Sequence, residues 1–389
     1  MTTFDTIVIG AGVIGAAAAR RLALDGSVLL LEQHEFLHER GSSHGGSRIY
    51  RHAYVDELHT RLAVRADPLW GELEAETGER LLFRTGGVDL FTPDDDDAAT
   101  MLASLAAAGS PGEHLSRADL AARFPVFDVP AGTHAVYHPA SAVLPATRAV
   151  AALLRSAAAR GGELREREPV LEVRPGASGV EVRTSTATYS AGRLVIAAGA
   201  WLGRLAHDLR LPLVVEQQQV IYLPIRPNAT QRNADRRNAD RRDVGAYLVG
   251  RMPIFIERRA KQIDGIYGLP AFEYPHAVKV AHHDRTTPLR SADERDFALD
   301  EARAAATVAA ATRLLPGLAD TPIASTTCLY TRTPDEAFII DRHPLHANVV
   351  LMGGGSGHAF KFGPLFGELA ADLLNGVPAL PAFRADRFG

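Results

Sequence analysis

A mixed α/β fold, with a parallel-stranded unit at its base and a mainly antiparallel unit inserted into it, is predicted by three observations. The chain opens on an apolar strand, a glycine turn, an alanine-rich helix and a second apolar strand within residues 5–32. Apolar strands that stop at small residues return at LVIAAGAW, 194–201, and at NVVLMGGGSG, 348–357. Between them, 81–93, 213–225 and 265–285 read as strands, with the alternation of antiparallel pairs. These signals assign 1–83, 143–211 and 320–389 to the first unit, and 84–142 with 212–319 to the inserted one.

The opening stretch, DTIVIGAGVIGAAAARRLALDGSVLLLE, justifies the first unit. Thr6 to Ile9 is β-branched and apolar, as a buried parallel strand is, and Gly10, Gly12 and Gly15 follow in the spacing G-x-G-x-x-G. Ala16 to Leu24 contains strong helix formers, and Asp25-Gly26 stops them. A second run, Val28 to Leu31, delivers Glu32. Glycines let the backbone approach a pyrophosphate, a helix N-terminus favours its charge, and an acid accepts hydrogen bonds from a ribose. Strand, turn, helix, strand and acid in register predict a Rossmann-like dinucleotide site rather than a bare βαβ unit. The motif alone does not separate FAD from NAD.

Bulk properties set limits. A chain of 389 residues can bury a large core, and its length suggests two domains. With 42 basic and 46 acidic residues the net charge is -4, which implies no broad basic surface for nucleic acid. No apolar stretch is long enough to span a bilayer, so a cytoplasmic location is the expectation. One cysteine, Cys328, excludes an internal disulfide and needs an explanation of its own.

Along the chain, the glycine- and serine-rich GSSHGGSRIYRHAY, 41–54, places Arg48 and Arg51 three apart, on one helical face. Two arginines so placed suit an anion, or belong to a solvated helix start. Residues 62–79 read as an amphipathic helix with Leu62, Leu69, Trp70 and Leu73 inward. LLFRTGGVDLFTP reads as a hairpin, and Asp94 to Asp97 as a solvated loop or helix start rather than a metal site. A helix over 146–160 precedes strands that end at AAGAW. Beside the first strand, those small residues leave room for a bound dinucleotide and favour FAD. The tandem RNADR repeat, 232–241, is too polar for a core and reads as an exposed insertion. Lys279, between Val278 and Val280, lies on a solvated face or points into a cavity that wants positive charge. The adjacent His282 and His283 face opposite ways and make no metal site. A helix over 300–315 follows. The final glycine turn, with Lys361 at its mouth, enters a helix near Pro364 and is a second place for a ligand to approach backbone.

In the order GAGVIG, GSSHGGSRIYRHAY, AAGAW, TCLYTRTPDEAFIIDRHP and GHAFKFGP, the chain resembles the monomeric sarcosine oxidase and N-methyltryptophan oxidase family, within the wider D-amino-acid oxidase-like flavoproteins. The RNADR insertion departs from that pattern. The resemblance implies FAD, held by Gly10, Gly12, Gly15, Glu32, Ser43, Gly355, Gly357 and His358. Cys328 matches the cysteine joined by a thioether to the 8α carbon of FAD. Arg51 and Lys361 match the cations that hold the substrate carboxylate. His44 and Arg48 match residues beside the flavin ring, Lys279 the lysine where oxygen is reduced, and His283 and Tyr267 the walls of the substrate pocket. A monomer is implied, with a small amino acid and O2 as its partners.

Such a site would oxidise a neutral secondary amine to an imine and release hydrogen peroxide, with sarcosine as the default substrate. An N-methyl aromatic amino acid or a cyclic imino acid such as pipecolate or proline keeps the same chemistry. A flavin dehydrogenase that passes electrons to a protein is the alternative from another class, and a non-catalytic FAD-binding module is a third.

Overall fold

The computed structural model describes residues 2–93, 95, 97–176, 179–227, 244–258 and 265–388. The RNADR tandem, Asp94 and Asp96 lie outside them. The mixed α/β class holds. In the first sheet, strand Thr2–Ile9 sits between two parallel neighbours, Val28–Leu31 and Thr188–Ile196. Thr188–Ile196 also pairs in parallel with His346–Gly353, so the three apolar runs that end in small residues are strands of one sheet.

Alternation places this sheet between two layers. Val8, Leu30, Val195 and Val350 face helices Val13–Leu22, Ala146–Ala159 and Gly363–Leu374. Ile7, Ile9, Leu29, Leu31, Leu194 and Ile196 face the opposite core with Tyr189. Runs buried on both faces are therefore apolar throughout. Ala16 to Ala19 are buried, and their small side chains let the first helix pack closely on the sheet and on the last helix.

The second sheet has nine strands among the described residues. At its centre, Val214–Pro224 pairs antiparallel with Ala277–His282 and with Ala324–Arg332, the strand that carries Cys328. All its pairings are antiparallel except that of Ile254–Glu257 with Gly87–Phe91.

Four local expectations are corrected. Residues 81–93 form no hairpin. Phe83–Arg84 pairs with 142–143 in a small third sheet, while Gly87–Phe91 joins the second sheet against His134–His138. The Gly-Gly carries the chain between sheets, because a Cβ on Gly86 or Gly87 would meet Tyr137 or His138 at less than 3 Å. Arg48–Tyr50 is a strand, paired with Ala142–Leu144, so Arg48 and Arg51 do not share a helical face. The acidic run does start a helix at Asp97, but Asp95 is buried and accepts the Asp97 N–H instead of being solvated. Helix Glu57–Thr77 begins five residues earlier than the apolar pattern implies, because Asp56 caps it through the His59 N–H.

A Cβ on Gly15 would lie 1.8 Å from the Gly10 carbonyl oxygen, whereas one on Gly71, inside helix Glu57–Thr77, would meet nothing within 4 Å. Urea unfolding is expected to show Gly15→Val destabilised by about 1–3 kcal/mol or more through overpacking, and Gly71→Ala stabilised by about 0.5–1 kcal/mol through helix propensity.

Candidate active site

The carboxyl ends of the parallel strands and the inner face of the antiparallel sheet enclose an open cavity of about 260 Å³. Parallel sheets place ligands at that end. The opening motif builds its floor. Gly10 has φ +101°, and a Cβ there would sit 2.5 Å from the Ala197 carbonyl, so only glycine fits. Gly12 caps helix Val13–Leu22 without a side-chain bond, and no acid occupies the first turn. That helix start faces the cavity with no acid in its first turn, and its Val13 N–H is taken by Ser43 Oγ at 3.0 Å.

Glu32 is buried at the end of the second strand. Its Oε2 accepts the Ala11 N–H at 2.9 Å and its Oε1 the His34 N–H at 3.0 Å. Burial opposes its charge, but the hydrogen bonds from His38 and from these two amides outweigh it and hold the carboxyl below its usual range. An ionised, rigid acceptor next to a bare helix start suits a ribose joined to a pyrophosphate.

At the other end of the cavity positive charge accumulates. Arg51 and Lys361 are 3% and 4% exposed. Arg51 stacks on Tyr54, with its Cζ 4.3 Å from the ring centre, and its Nη1 stands 3.9 Å from Asp89. Among the described residues that Nη1 has no hydrogen-bond partner. Lys361 Nζ donates to Tyr54 Oη at 2.8 Å and to the His358 carbonyl at 2.5 Å. Both partners are neutral, and burial with the nearby Arg51 pushes the amine well below its ordinary value. A buried guanidinium N–H without an acceptor is costly unless a ligand supplies one.

Lys279 is buried and points into the cavity, which decides between the two orientations its strand allowed. Its Nζ donates to the Ser47 carbonyl at 3.0 Å, to Ser47 Oγ at 3.2 Å and to Glu273 Oε1 at 3.0 Å. Burial lowers its pKa to about 8, against the pull of Glu273. Arg48 donates to the Ser47 and Ser42 carbonyls.

Three of the histidines around the cavity, His44, His283 and His358, are held towards the neutral form. Burial and then neighbouring cations lower His44 and His283 to about 3, and His358 well below its ordinary value. Tyr267 hydrogen-bonds Tyr330, and burial raises both phenols. His283 packs on Tyr330 with ring centres 5.3 Å apart. His282, one residue earlier, turns away to bond Thr307.

Cys328 is half-buried in the strand that faces Gln218, and its side of that strand lines the cavity. Gly355, Gly357 and His358 line it from the last glycine turn. Gly357, at φ +80°, lies where a Cβ would strike the Tyr330 ring at 2.2 Å. Every residue singled out from the sequence reaches this cavity except Gly15, which stands behind Gly10 as a packing residue.

The FAD dependent oxidoreductase family profile, DAO, matches residues 5–373. The chain belongs to this family. It is 36% identical over 384 residues to monomeric sarcosine oxidase of Streptomyces avermitilis, covering 97% of this chain and 96% of that one. To N-methyl-L-tryptophan oxidase of Salmonella arizonae it is 32% identical over 394 residues, with 99% of both chains covered. The solved structure of NikD, described as an unusual amino acid oxidase essential for nikkomycin biosynthesis, superposes with a TM-score of 0.80 at 25% identity, over 97% of this chain and 95% of that one. The family's FAD fits the cradle described here: the bare helix start, the Glu32 acceptor and the glycines that no Cβ could replace.

Sequence reasoning missed Asp89, Glu273, Tyr54 and Tyr330. Asp89 carried a signal, since an acid between Val88 and Leu90 in an apolar strand is out of place unless paired. It is fully buried, 2.7 Å from Arg258 Nε and 2.9 Å from His138 Nε2. Tyr54 and Tyr330 sit inside quoted motifs without an assigned task, and Glu273 had no local mark at all.

A small carboxylate that lacks an amine is expected to bind this cavity and raise the melting temperature. Arg51→Ala should weaken that binding by about 2 kcal/mol, roughly 30-fold, as loss of a charge-assisted hydrogen bond does. Unchanged affinity in a titration would remove Arg51 from the anion site.

Proposed function

We propose that the chain is an FAD-dependent oxidase of a small secondary amino acid, with sarcosine as the default substrate, and that it produces an imine and hydrogen peroxide. The observation that carries this reading is the buried Arg51–Lys361 pair, with one guanidinium N–H unpartnered, facing the same cavity as the dinucleotide cradle and Lys279.

FAD, when bound, accepts two electrons from the CH–NH bond and passes them to oxygen. The residues do the rest. Arg51 and Lys361 grip the carboxylate and thereby fix which carbon is presented for oxidation. Their two positive charges, in a buried site, disfavour a third, so the amine reacts in its neutral form. His44, His283 and His358, held neutral, add no charge to that end. Lys279 supplies a fixed cation beside the place where oxygen becomes an anion. Cys328, the chain's single cysteine, is the thiol to be joined to the flavin, and its half-buried place on the cavity wall supports that assignment.

The walls favour a second reading of the substrate within the same chemistry. Tyr267, Tyr330, His283 and Phe360 present rings to the cavity. Such a lining also suits an N-methyl aromatic amino acid or a cyclic imino acid.

Peroxide release measured over a panel of sarcosine, pipecolate, proline and N-methyltryptophan decides among them. Turnover of at least one is expected, and turnover of none sinks the reading. After anaerobic reduction, admission of air should restore the oxidised spectrum rapidly; flavin that stays reduced identifies a dehydrogenase. Acid-precipitated protein should remain yellow, and Cys328→Ala should release the colour into the supernatant. Colour freed from the unmodified protein would disprove the covalent link.

A further inference from the structure

Glu273 lies in the loop between strands Ile266–Leu269 and Ala277–His282, does not line the cavity, and accepts from four donors. Its Oε1 takes Lys279 Nζ at 3.0 Å and the Ser47 hydroxyl. Its Oε2 takes the Gly46 N–H at 3.0 Å and Tyr222 Oη at 2.8 Å. These donors come from the 41–47 loop, from strand Val214–Pro224 and from the lysine's own strand. The loop is built around the acid, since a Cβ on Gly46 would lie 2.5 Å from Glu273 Cγ and Oε2. The Gly-Gly of GSSHGGSR is thereby accounted for: its second glycine makes room for this carboxylate.

We propose that Glu273 is a positioning residue which, from behind Lys279, fixes the ammonium against Ser47 and keeps it charged for the reduction of oxygen. The inference rests on the reading of Lys279 as the oxygen site. All three polar contacts of Nζ lie on the Ser47–Glu273 wall, so Lys279 presents its charge to the cavity rather than a dedicated hydrogen bond. A charge acts without a partner in place, as an anion that exists only transiently requires.

The groups around Nζ make that charge conditional. Burial and Arg48 oppose it; Glu273 supports it, and the Cys328 sulfur carries no charge once it is a thioether. The Tyr222 ring adds a cation–π contact at 5.6 Å, and His44, on the same loop as Ser47, is neutral. With the amine at about 8, the charge is present below that pH and lost above it. Removing the carboxylate removes the largest support and moves the loss acidward. In the reaction, two electrons and two protons leave the CH–NH group as the imine forms, and both pairs appear in H2O2. The ammonium is neither consumed nor oxidised, and it assists the first electron's transfer by stabilising superoxide.

The test compares unmodified holoenzyme, Glu273→Gln, Glu273→Asp and Lys279→Met, each reduced anaerobically by whichever panel substrate it turns over and then mixed with oxygen across pH 6–10. In Glu273→Gln, reoxidation at pH 8 is expected to slow about fivefold, because a midpoint lowered by about one unit leaves about a tenth rather than about a half of the lysine charged, while anaerobic reduction changes by less than about twofold. A readout independent of turnover is labelling of Lys279 by acetic anhydride, quantified by mass spectrometry. Its midpoint is expected near 8 in the unmodified protein and at least about one pH unit lower in Glu273→Gln, with Glu273→Asp restoring most of the shift because it keeps the charge. Wild-type reoxidation and an unmoved midpoint in Glu273→Gln overturn the proposal, and so does failure of Glu273→Asp to restore the midpoint. If Lys279→Met reoxidises normally while the Glu273→Gln midpoint still falls, the oxygen reading of Lys279 fails and the Glu273–Lys279 coupling stands. If Glu273→Gln does not fold, Glu273→Ala takes its place in the labelling: a midpoint lowered by about one pH unit supports the coupling, and an unmoved one overturns it.

Discussion

Positive charge buried without matching negative charge is the constraint from which the organisation of this cavity follows. Arg51, Lys361, Lys279 and Arg48 all face it, and two carboxylates, Asp89 and Glu273, stand behind them. Asp89 is shared, because Arg258 holds it at 2.7 Å while Arg51 remains at 3.9 Å. Burying cations this way costs free energy unless dipoles or anions offset it. Backbone carbonyls of Ser42, Ser47 and His358 supply part of the offset, and an anionic ligand would supply the rest. The same field, with burial, keeps His44 and His283 uncharged.

The two sheets exist in this arrangement because each contributes what the other lacks. A parallel sheet buried on both faces has no polar side chain to spare in its middle, so its chemistry lies at strand ends: the glycine turns, Glu32 and the start of the first helix. The antiparallel sheet has an inner face on which alternate residues can be polar, and there Lys279 and Cys328 project from neighbouring strands of the Val214–Pro224 ladder. On the same face, beyond the edge of the cavity, Asp89, His138 and Ser141 form a hydrogen-bonded array that looks like a hydrolytic triad. All three are fully buried and absent from the cavity wall, so the array serves packing and the support of Arg51 and Arg258.

What could be read from the sequence divides along the same line. The opening βαβ unit was legible because its signals are local: a buried run, glycines in register and an acid at the next strand's end. The helices over 146–159, 301–314 and 363–374 were legible for similar reasons. The supposed 81–93 hairpin was not, because two alternating runs around Gly-Gly carry no record of which partner each strand will take. Its two halves are claimed by strands 142–144 and 134–138, some fifty residues away. The helical spacing of Arg48 and Arg51 failed for a related reason: strand pairing with Ala142–Leu144 overrode a spacing that fits either structure. Glu273 was invisible because nothing local distinguishes an acid in a loop that accepts four hydrogen bonds from one that faces water.

The two lysines of the cavity illustrate how partners divide labour. Among the described residues Lys361 has neutral acceptors alone, a tyrosine hydroxyl and a carbonyl, whereas Lys279 has a carboxylate. A cation meant to hold a substrate carboxylate should not have one of its own, because the protein's acid would compete with the ligand for the same charge. A cation meant to act on an anion that lives only within one reaction step has the opposite requirement: between turnovers nothing else keeps it protonated in a buried site, so the fold must supply the counter-charge and set it on the side away from the reaction. On the reading proposed here, this difference in partners, more than the shared residue type, assigns Lys361 to binding and Lys279 to oxygen.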